Sequence, residues 1–355
     1  MLQSILIKNG RIWNGESFHY GDVLVENGII ASIETNIKEK ANFIYDATGK
    51  IVSPGLIDIH THLRGISGNQ IGVSAEAGCF PFGVTAAVDA YGTDGDKQLL
   101  EFFQVKSKVF ALLRMRDNHI DFSQVEQVLE KYGDKALGIK IIFNRLFAGH
   151  TTLLKEICSY AHNRKLKVMV HASNDSPAPM WEILSTLHPG DILTHVYHGG
   201  INTACDDHFA SLKSAQKNGI IIDAGLAGNS HTDFSVLKTA MENEAFPNTI
   251  SSDTTNASLC IRGGNYGLPM CMSIMRHCGM SEADIFRAVT TSAAAAVDFQ
   301  APFGKLNPGQ TAYIAVMEYG QEGFDLCDRF GNHIQSPYGY RCHLTIADGM
   351  VVYRR

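Results

Sequence analysis

No stretch of this 355-residue chain stays apolar for the roughly 20 residues that a membrane helix needs, which excludes a helical membrane protein from the expectations. Basic residues never gather into a patch: 30 lysines and arginines stand against 36 aspartates and glutamates, for a net charge of −6. Neither nucleic acid nor an anionic membrane is therefore expected as the main partner. The eight cysteines, at 79, 158, 205, 260, 271, 278, 327 and 342, form no C-x-x-C pair. The opening MLQSILIKNG has no basic segment followed by a long apolar one, as an export signal would. Reduced thiols and a cytoplasmic protein follow as expectations. Nothing like G-x-G-x-x-G follows the first buried-looking strand, which counts against a doubly wound dinucleotide-binding sheet. Internal repeats are absent, and the only biased segment is the short alanine run 293–296.

What is present divides into two textures. Both ends read as short antiparallel strands: SILIKNGRIW, GDVLVENGII and ASIETNI near the start, TAYIAVM and HLTIADGMVVYRR near the finish. Asn9-Gly10, Asn27-Gly28 and Asp348-Gly349 supply hairpin turn signals. The middle alternates apolar runs of strand length with helical spacing. Its strands are LIDIH (56–60), VTAAVDA (84–90), VFALLRM (109–115), ALGIKIIF (136–143), KVMVHAS (167–173), DILTHV (191–196), GIIIDAG (219–225) and NTISSDT (248–254). Eight such units over about 240 residues suit an α/β fold, a (β/α)8 TIM barrel of ~250 residues. The expected organisation is a β-sandwich domain from residues 1–52 plus 305–355, around a catalytic barrel at 53–304. With 45% hydrophobic and 19% charged residues, the chain is long enough for such a core and its attachment.

The chemistry begins at GLIDIHTH, residues 55–62. Residues two apart on a strand share a face, so His60 and His62 point the same way. The other strand ends extend the pattern: Lys140 within GIKII on the fourth, His171 on the fifth, His195 on the sixth with His198 beyond it, Asp253 on the eighth. In a barrel of this kind those ends form one rim whatever their separation along the chain. Imidazoles and a carboxylate on a single rim are the donor set that borderline ions such as Zn²⁺ favour.

Each residue also has a plainer role open to it. His171 at the end of VMVH suits a core histidine, and Asp253 among serines and threonines suits a helix cap. Between His195 and His198, the former is favoured as ligand because it lies within the strand run, leaving His198 either to support a ligand or to contact substrate. Lys140 is either a structural or substrate-binding lysine or, flanked by apolar residues, a neutral amine. Such an amine reacts with CO2 to give a carbamate, an anionic bridge between two metals.

With these residues in order, IVSPGLIDIHTH, the strand-four lysine, VMVH, THVYH and SSDTT, the chain resembles the amidohydrolase superfamily along nearly its whole length. Within it, IGVSAEAGCFPFGVTAAVDAYGTDG, HPGDILTHVYHG and GLPMCMSIMRHCGMSEADIFRAVTTSAAAAV are similar to the dihydroorotase-like deacetylase and amidohydrolase group. Arg64 after HTHL resembles the His-x-His-x-Arg of true dihydroorotases, where the arginine holds a substrate carboxylate; Gly65-Ile66-Ser67 lacks the proline usual there. Tyr313 stands where many relatives carry aspartate.

The resemblance implies two divalent ions, with zinc favoured. His60 and His62 would hold one and His171 and His195 the other, with the CO2-derived carbamate of Lys140 bridging them and Asp253 on the first. A metal-bridging hydroxide would attack the carbonyl, with Asp253 moving the proton. Arg64, Asn174, His198 and the 262–265 loop are candidates to orient an anionic substrate, although that loop reads equally as a plain glycine turn. The expected activity is hydrolysis of an N-acyl or cyclic amide bond in a small, carboxylate-bearing molecule. Two alternatives stand beside it: an esterase acting on O-acetyl hydroxy acids, and a catalytically silent binding protein that kept the fold. The filled ligand positions argue against the last. A small-molecule substrate is the expected partner, and a homo-oligomer is left open.

Overall fold

Continuous apolar runs and alternating ones sort into two separate sheets. The computed structural model describes residues 4–63, 71–92, 105–113, 115–116, 119–228, 230–261 and 266–355. The apolar runs of the middle form a parallel sheet in sequence order: Leu56–Thr61, Val84–Gly92, Lys106–Leu113, Ala136–Phe143, Lys167–Ala172, Ile192–Thr194 and Ile221–Asp223. Leu56–Thr61 is buried at every residue, as expected for a strand covered on both faces. Helices alternate with these strands. Thr152–Asn163, for instance, buries Leu154, Ile157, Cys158 and Ala161, the three-and-four spacing of one apolar stripe.

The eighth position departs from expectation. Residues 248–254 form no continuous strand, yet they fill the gap between the seventh strand and the first. Thr249 bridges Asp223 and Thr254 bridges Thr61, both in parallel. The Asp253 amide donates to the His60 carbonyl (2.8 Å), and the His62 amide donates to that of Thr254 (3.0 Å). Extended pairing fails because Asp253 stands at φ +49°, outside the β region.

Strands from both chain ends share the second sheet, in the order Met350–Arg354, Gly339–Ala347, Ile314–Gly320, Ile51–Pro54, Ser4–Trp13, Phe18–Glu26, Ile29–Glu34. Phe43–Asp46 also pairs with Ser4–Trp13. Ile5, Ile7, Val23 and Val25 from the beginning pack with Ile314, Val316 and Leu344 from the end in one core. Asn27-Gly28 and Asp348-Gly349 turn as their sequences predict, with all four residues at positive φ. Asn9-Gly10 does not turn. It forms a bulge inside the unbroken Ser4–Trp13 strand, where the pairing register shifts and the Asn9 amide reaches the Asp22 carboxylate (2.8 Å).

An unanticipated hairpin, Phe324–Cys327 with His333–Ser336, reaches back to the barrel. Its Asp328 accepts from the Phe234 amide (2.7 Å), tying the hairpin to the loop after the seventh strand. Among the described residues, no helix is long and apolar enough to cross a membrane.

Candidate metal centre

His60 lies near the end of the first strand and His62 just beyond it, both buried on the face they share with Asp58. Asp58 accepts from the Ser252 amide (3.1 Å) and from the Ser252 hydroxyl, which fastens the 248–254 segment against this strand. The left-handed turn at Asp253 then aims its carboxylate at both histidines. Oδ1 lies 2.8 Å from His62 Nε2 and 3.3 Å from His60 Nε2, and Oδ2 lies 3.8 Å from His195 Nε2.

Neighbouring groups fix the tautomers. His60 Nδ1 meets Thr194 Oγ1 at 3.1 Å, while the single Thr194 hydroxyl proton is given to Asp223 (2.7 Å). Asp223 also accepts from Ser251 and Thr249. Thr194 must therefore accept from His60 Nδ1–H, which leaves a lone pair on His60 Nε2. That lone pair faces the Asp253 Oδ1 acceptor across 3.3 Å, and the Lys140 amine is the donor that meets it. His195 repeats the pattern. Its Nδ1 donates to the Gly225 carbonyl (2.5 Å), so Nε2 carries the lone pair.

Buried nitrogens without a hydrogen bond mark the same place: among the described residues, His171 Nε2 and His195 Nε2 have no such partner. Burial, reinforced by neighbouring positive groups, holds His60, His171 and His195 well below the ordinary histidine range, so the rings are neutral donors. Burial pushes the Asp253 carboxyl up, but His60, His62 and His195 outweigh it and hold it well below the usual carboxylate range. Lys140 is buried with Nζ 3.0 Å from His60 Nε2 and 3.3 Å from Met169 Sδ. Burial brings its amine down to about 7 against the opposing pull of Asp253 and Asp223. Neutral imidazoles, an ionised carboxylate and a readily neutral amine fit divalent metal ions.

Residues 51–351 match the Amidohydrolase family. The chain belongs to the amidohydrolase family. It is accordingly a hydrolase acting on carbon–nitrogen bonds. A protein of Enterococcus faecalis named "Deacetylase" is 28% identical over 82% of this chain and 83% of its own length. In fold, the chain is similar to a crystal structure of a dihydroorotase (TM-score 0.88, 22% identity, 98% of each chain covered). It is also similar to one of an adenine deaminase (TM-score 0.83, 23% identity, 99% of each covered).

This amidohydrolase brings together His60, His62, Lys140, His195 and Asp253 through the distances above. His171 joins through its ring, 4.2 Å from that of His195 centre to centre. His195 is not inside the sixth strand, as its sequence suggests. The strand ends at Thr194, and His195 turns out of it at φ +62°, which lets its ring reach Gly225. His198 is fully buried with Nδ1 bonded to the Gly199 carbonyl (2.8 Å), and it joins neither three-residue group of clustered donors. With its amide oriented to suit its neighbours, Asn174 donates to the Gly199 carbonyl (3.1 Å) and accepts from Arg329 (2.8 Å). Arg64 and the 262–265 loop lie outside the described residues.

One residue of the centre escaped the sequence reading. His231, in the loop after the seventh strand, clusters with His171 and His195, and its Nε2 lies 3.9 Å from Asp253 Oδ2. The signal was its position: loops that follow barrel strands all open onto the same rim.

Proposed function

We propose that this amidohydrolase is a two-metal enzyme, with zinc the favoured ion, that cleaves the amide bond of a small N-acylated or cyclic amide bearing a carboxylate. The observation that carries the reading is the convergence of two tautomer-fixed imidazoles, His60 and His195, on the ionised Asp253 beside a buried amine. His60 and His62 would hold one ion together with Asp253, and His171 and His195 would hold the other. Lys140, neutral in a good fraction of molecules near pH 7, adds to the carbon of CO2, forming one N–C bond and shedding one proton. The resulting carbamate would supply anionic oxygens to the ions. The name of the Enterococcus faecalis relative supports acyl removal.

When bound, the ions supply an acidified water and a Lewis acid for the scissile carbonyl. Asp253 handles the proton. Its Oδ1 is engaged by His62 at 2.8 Å, whereas the histidine nitrogens around Oδ2 lie at 3.8 and 3.9 Å. These distances support Oδ2 as the oxygen that takes a proton from water and passes it to the leaving amine. Thr194 and Gly225 keep the rings of His60 and His195 aimed throughout. Arg64 is the proposed holder of the substrate carboxylate, ahead of Asn174, whose amide is engaged by Gly199 and Arg329, and His198, whose Nδ1 is bonded to the Gly199 carbonyl.

The test has two arms. Elemental analysis of protein purified without chelators is expected to approach two equivalents of metal; an active but metal-free enzyme would sink the reading. The zinc-loaded enzyme is then screened on N-acyl amino acids, cyclic ureides and acetyl hydroxy acids. Turnover confined to the last class makes it an esterase, and binding without any turnover makes it a silent scaffold.

A further inference from the structure

We propose that His231 is a third imidazole donor to the ion held by His171 and His195, so that this half of the centre binds one divalent cation without Lys140. The inference rests on the two-metal reading and goes beyond it, since that reading gives this ion two histidines and a share of the lysine carbamate.

Geometry carries the argument. The rings of His171 and His231 are 4.5 Å apart centre to centre, as are those of His195 and His231, and those of His171 and His195 are 4.2 Å apart. One nitrogen from each ring can be chosen so that all three lie within 4.8 Å of one another. The hydrogen bond to Gly225 leaves His195 with its lone pair on Nε2, toward the centre. Three imidazoles within reach of one another and of the Asp253 carboxylate make a donor set that a divalent cation fits. Three protein donors with one open position is also the arrangement of catalytic zinc sites.

The loop that bears His231 is tied on both sides of it. Thr232 donates to the Leu226 carbonyl (3.0 Å), the Asp233 amide donates to that of Tyr197 (2.9 Å), and Arg329 reaches the Ser230 carbonyl (3.4 Å). Nitrogens on one tetrahedral zinc stand about 3.3 Å apart, given Zn–N of about 2.05 Å. The cluster must therefore tighten, by up to roughly 1.5 Å for its widest pair. His171 and His195 are fixed at strand ends, whereas the His231 side chain is 28% exposed on its loop and can make that approach.

The experiment compares wild type, His231→Ala, His231→Gln, Lys140→Ala and the Lys140→Ala/His231→Ala double variant. Each is stripped and reloaded with Co²⁺, then read by bound cobalt, cobalt affinity and visible absorption, without substrate. Wild type should hold two ions. Lys140→Ala should keep one, with the intense visible bands of four-coordinate cobalt. Adding His231→Ala should weaken that ion by at least ~10-fold, as when a donor's support is lost, and change its bands. His231→Gln in the otherwise unaltered chain should change the cobalt bands as His231→Ala does, with an unchanged melting temperature of the metal-free protein as the control for folding. If the double variant holds cobalt as tightly as Lys140→Ala with the same spectrum, or if Lys140→Ala holds none, His231 is not a ligand and the two-metal reading stands. A wild type that binds no metal overturns both. Cobalt content, affinity and bands unaltered by His231→Ala would mean that His231 does not touch the ion, and the proposal fails.

Discussion

His195 Nδ1 lies 2.5 Å from the Gly225 carbonyl oxygen, and both residues stand at positive φ, +62° and +51°. The sixth and seventh strands thus end in two left-handed turns that face each other, and the contact between them sets which nitrogen of His195 is open to the centre. A Cβ added to Gly225 would fall 2.3 Å from Thr194 Oγ1 and 2.7 Å from His195 Nδ1. It would disturb the hydroxyl that orients His60 and the ring of His195 together.

Gly225→Ala should therefore affect both ions at once. Left-handed strain alone costs about 1–2 kcal/mol of stability, and the two close contacts add to it. Thermal melting of the metal-free variant reads the first effect, and metal content after dialysis reads the second. A variant with normal melting and full metal content would mean that this turn does not orient the ligands.

Lys140→Ala should lower metal content from two equivalents toward one and abolish most of the activity. Formate, acetate or propionate added in excess should restore part of both, because a small carboxylate can occupy the space of the missing carbamate. Unchanged metal content and rate in the variant would leave Lys140 a structural residue.

The strand-end residues were legible for a physical reason. A buried strand writes its position in an apolar run, so the rim residues His60, Lys140 and His171 could be placed by counting from that run. Asp253 was legible by type but not by conformation, since no apolar pattern announces its left-handed turn. His195 sat one residue beyond where its run ILTHV placed it, because the same kind of turn ended the strand early. His231 lies in the polar stretch GNSHTDFS, where no periodicity exists to place a side chain. Its approach to His171 depends on loop bonds through Thr232, Asp233 and Arg329 that only the folded chain assembles. Asn9-Gly10 misled for the complementary reason. Asn-Gly favours positive φ wherever it occurs, and a bulge uses that as readily as a hairpin does.

A pH dependence follows from the burial of Lys140, whose amine stands at about 7 in the fold against an ordinary 10.5. Between those values the unfolded chain binds a proton that the folded chain does not, so stability rises with pH by about 1.4 kcal/mol per unit from this residue. The cost of burying the ammonium is fully present below pH 7 and is relieved as the pH climbs toward 10.5. Denaturant unfolding of metal-free protein in CO2-free buffer, from pH 7 to 8.5, is compared with that of Lys140→Met, since the cysteines, which titrate near about 8.5 in the unfolded chain, contribute alike to both proteins. Lys140→Met should remove that component. Identical slopes in the two proteins would place the lysine charge in water.

The most exposed prediction concerns Arg64 and the charge of the substrate. A guanidinium two residues beyond His62, a proposed metal ligand, stands along the chain where it could pair bidentately with a substrate carboxylate. Arg64→Met should lower kcat/KM on a carboxylate-bearing amide by an amount worth ~1–3 kcal/mol, the range of a lost charge-assisted contact. On the neutral amide version of the same substrate the loss should nearly vanish, because nothing remains for the guanidinium to hold. Metal content should be equal in the two proteins, which separates substrate recognition from damage to the centre. Equal losses on charged and neutral substrates would make Arg64 a support for its loop. The carboxylate would then need another partner, and Arg329, whose guanidinium bonds both Asn174 and the Ser230 carbonyl beside His231, is the next cation to test.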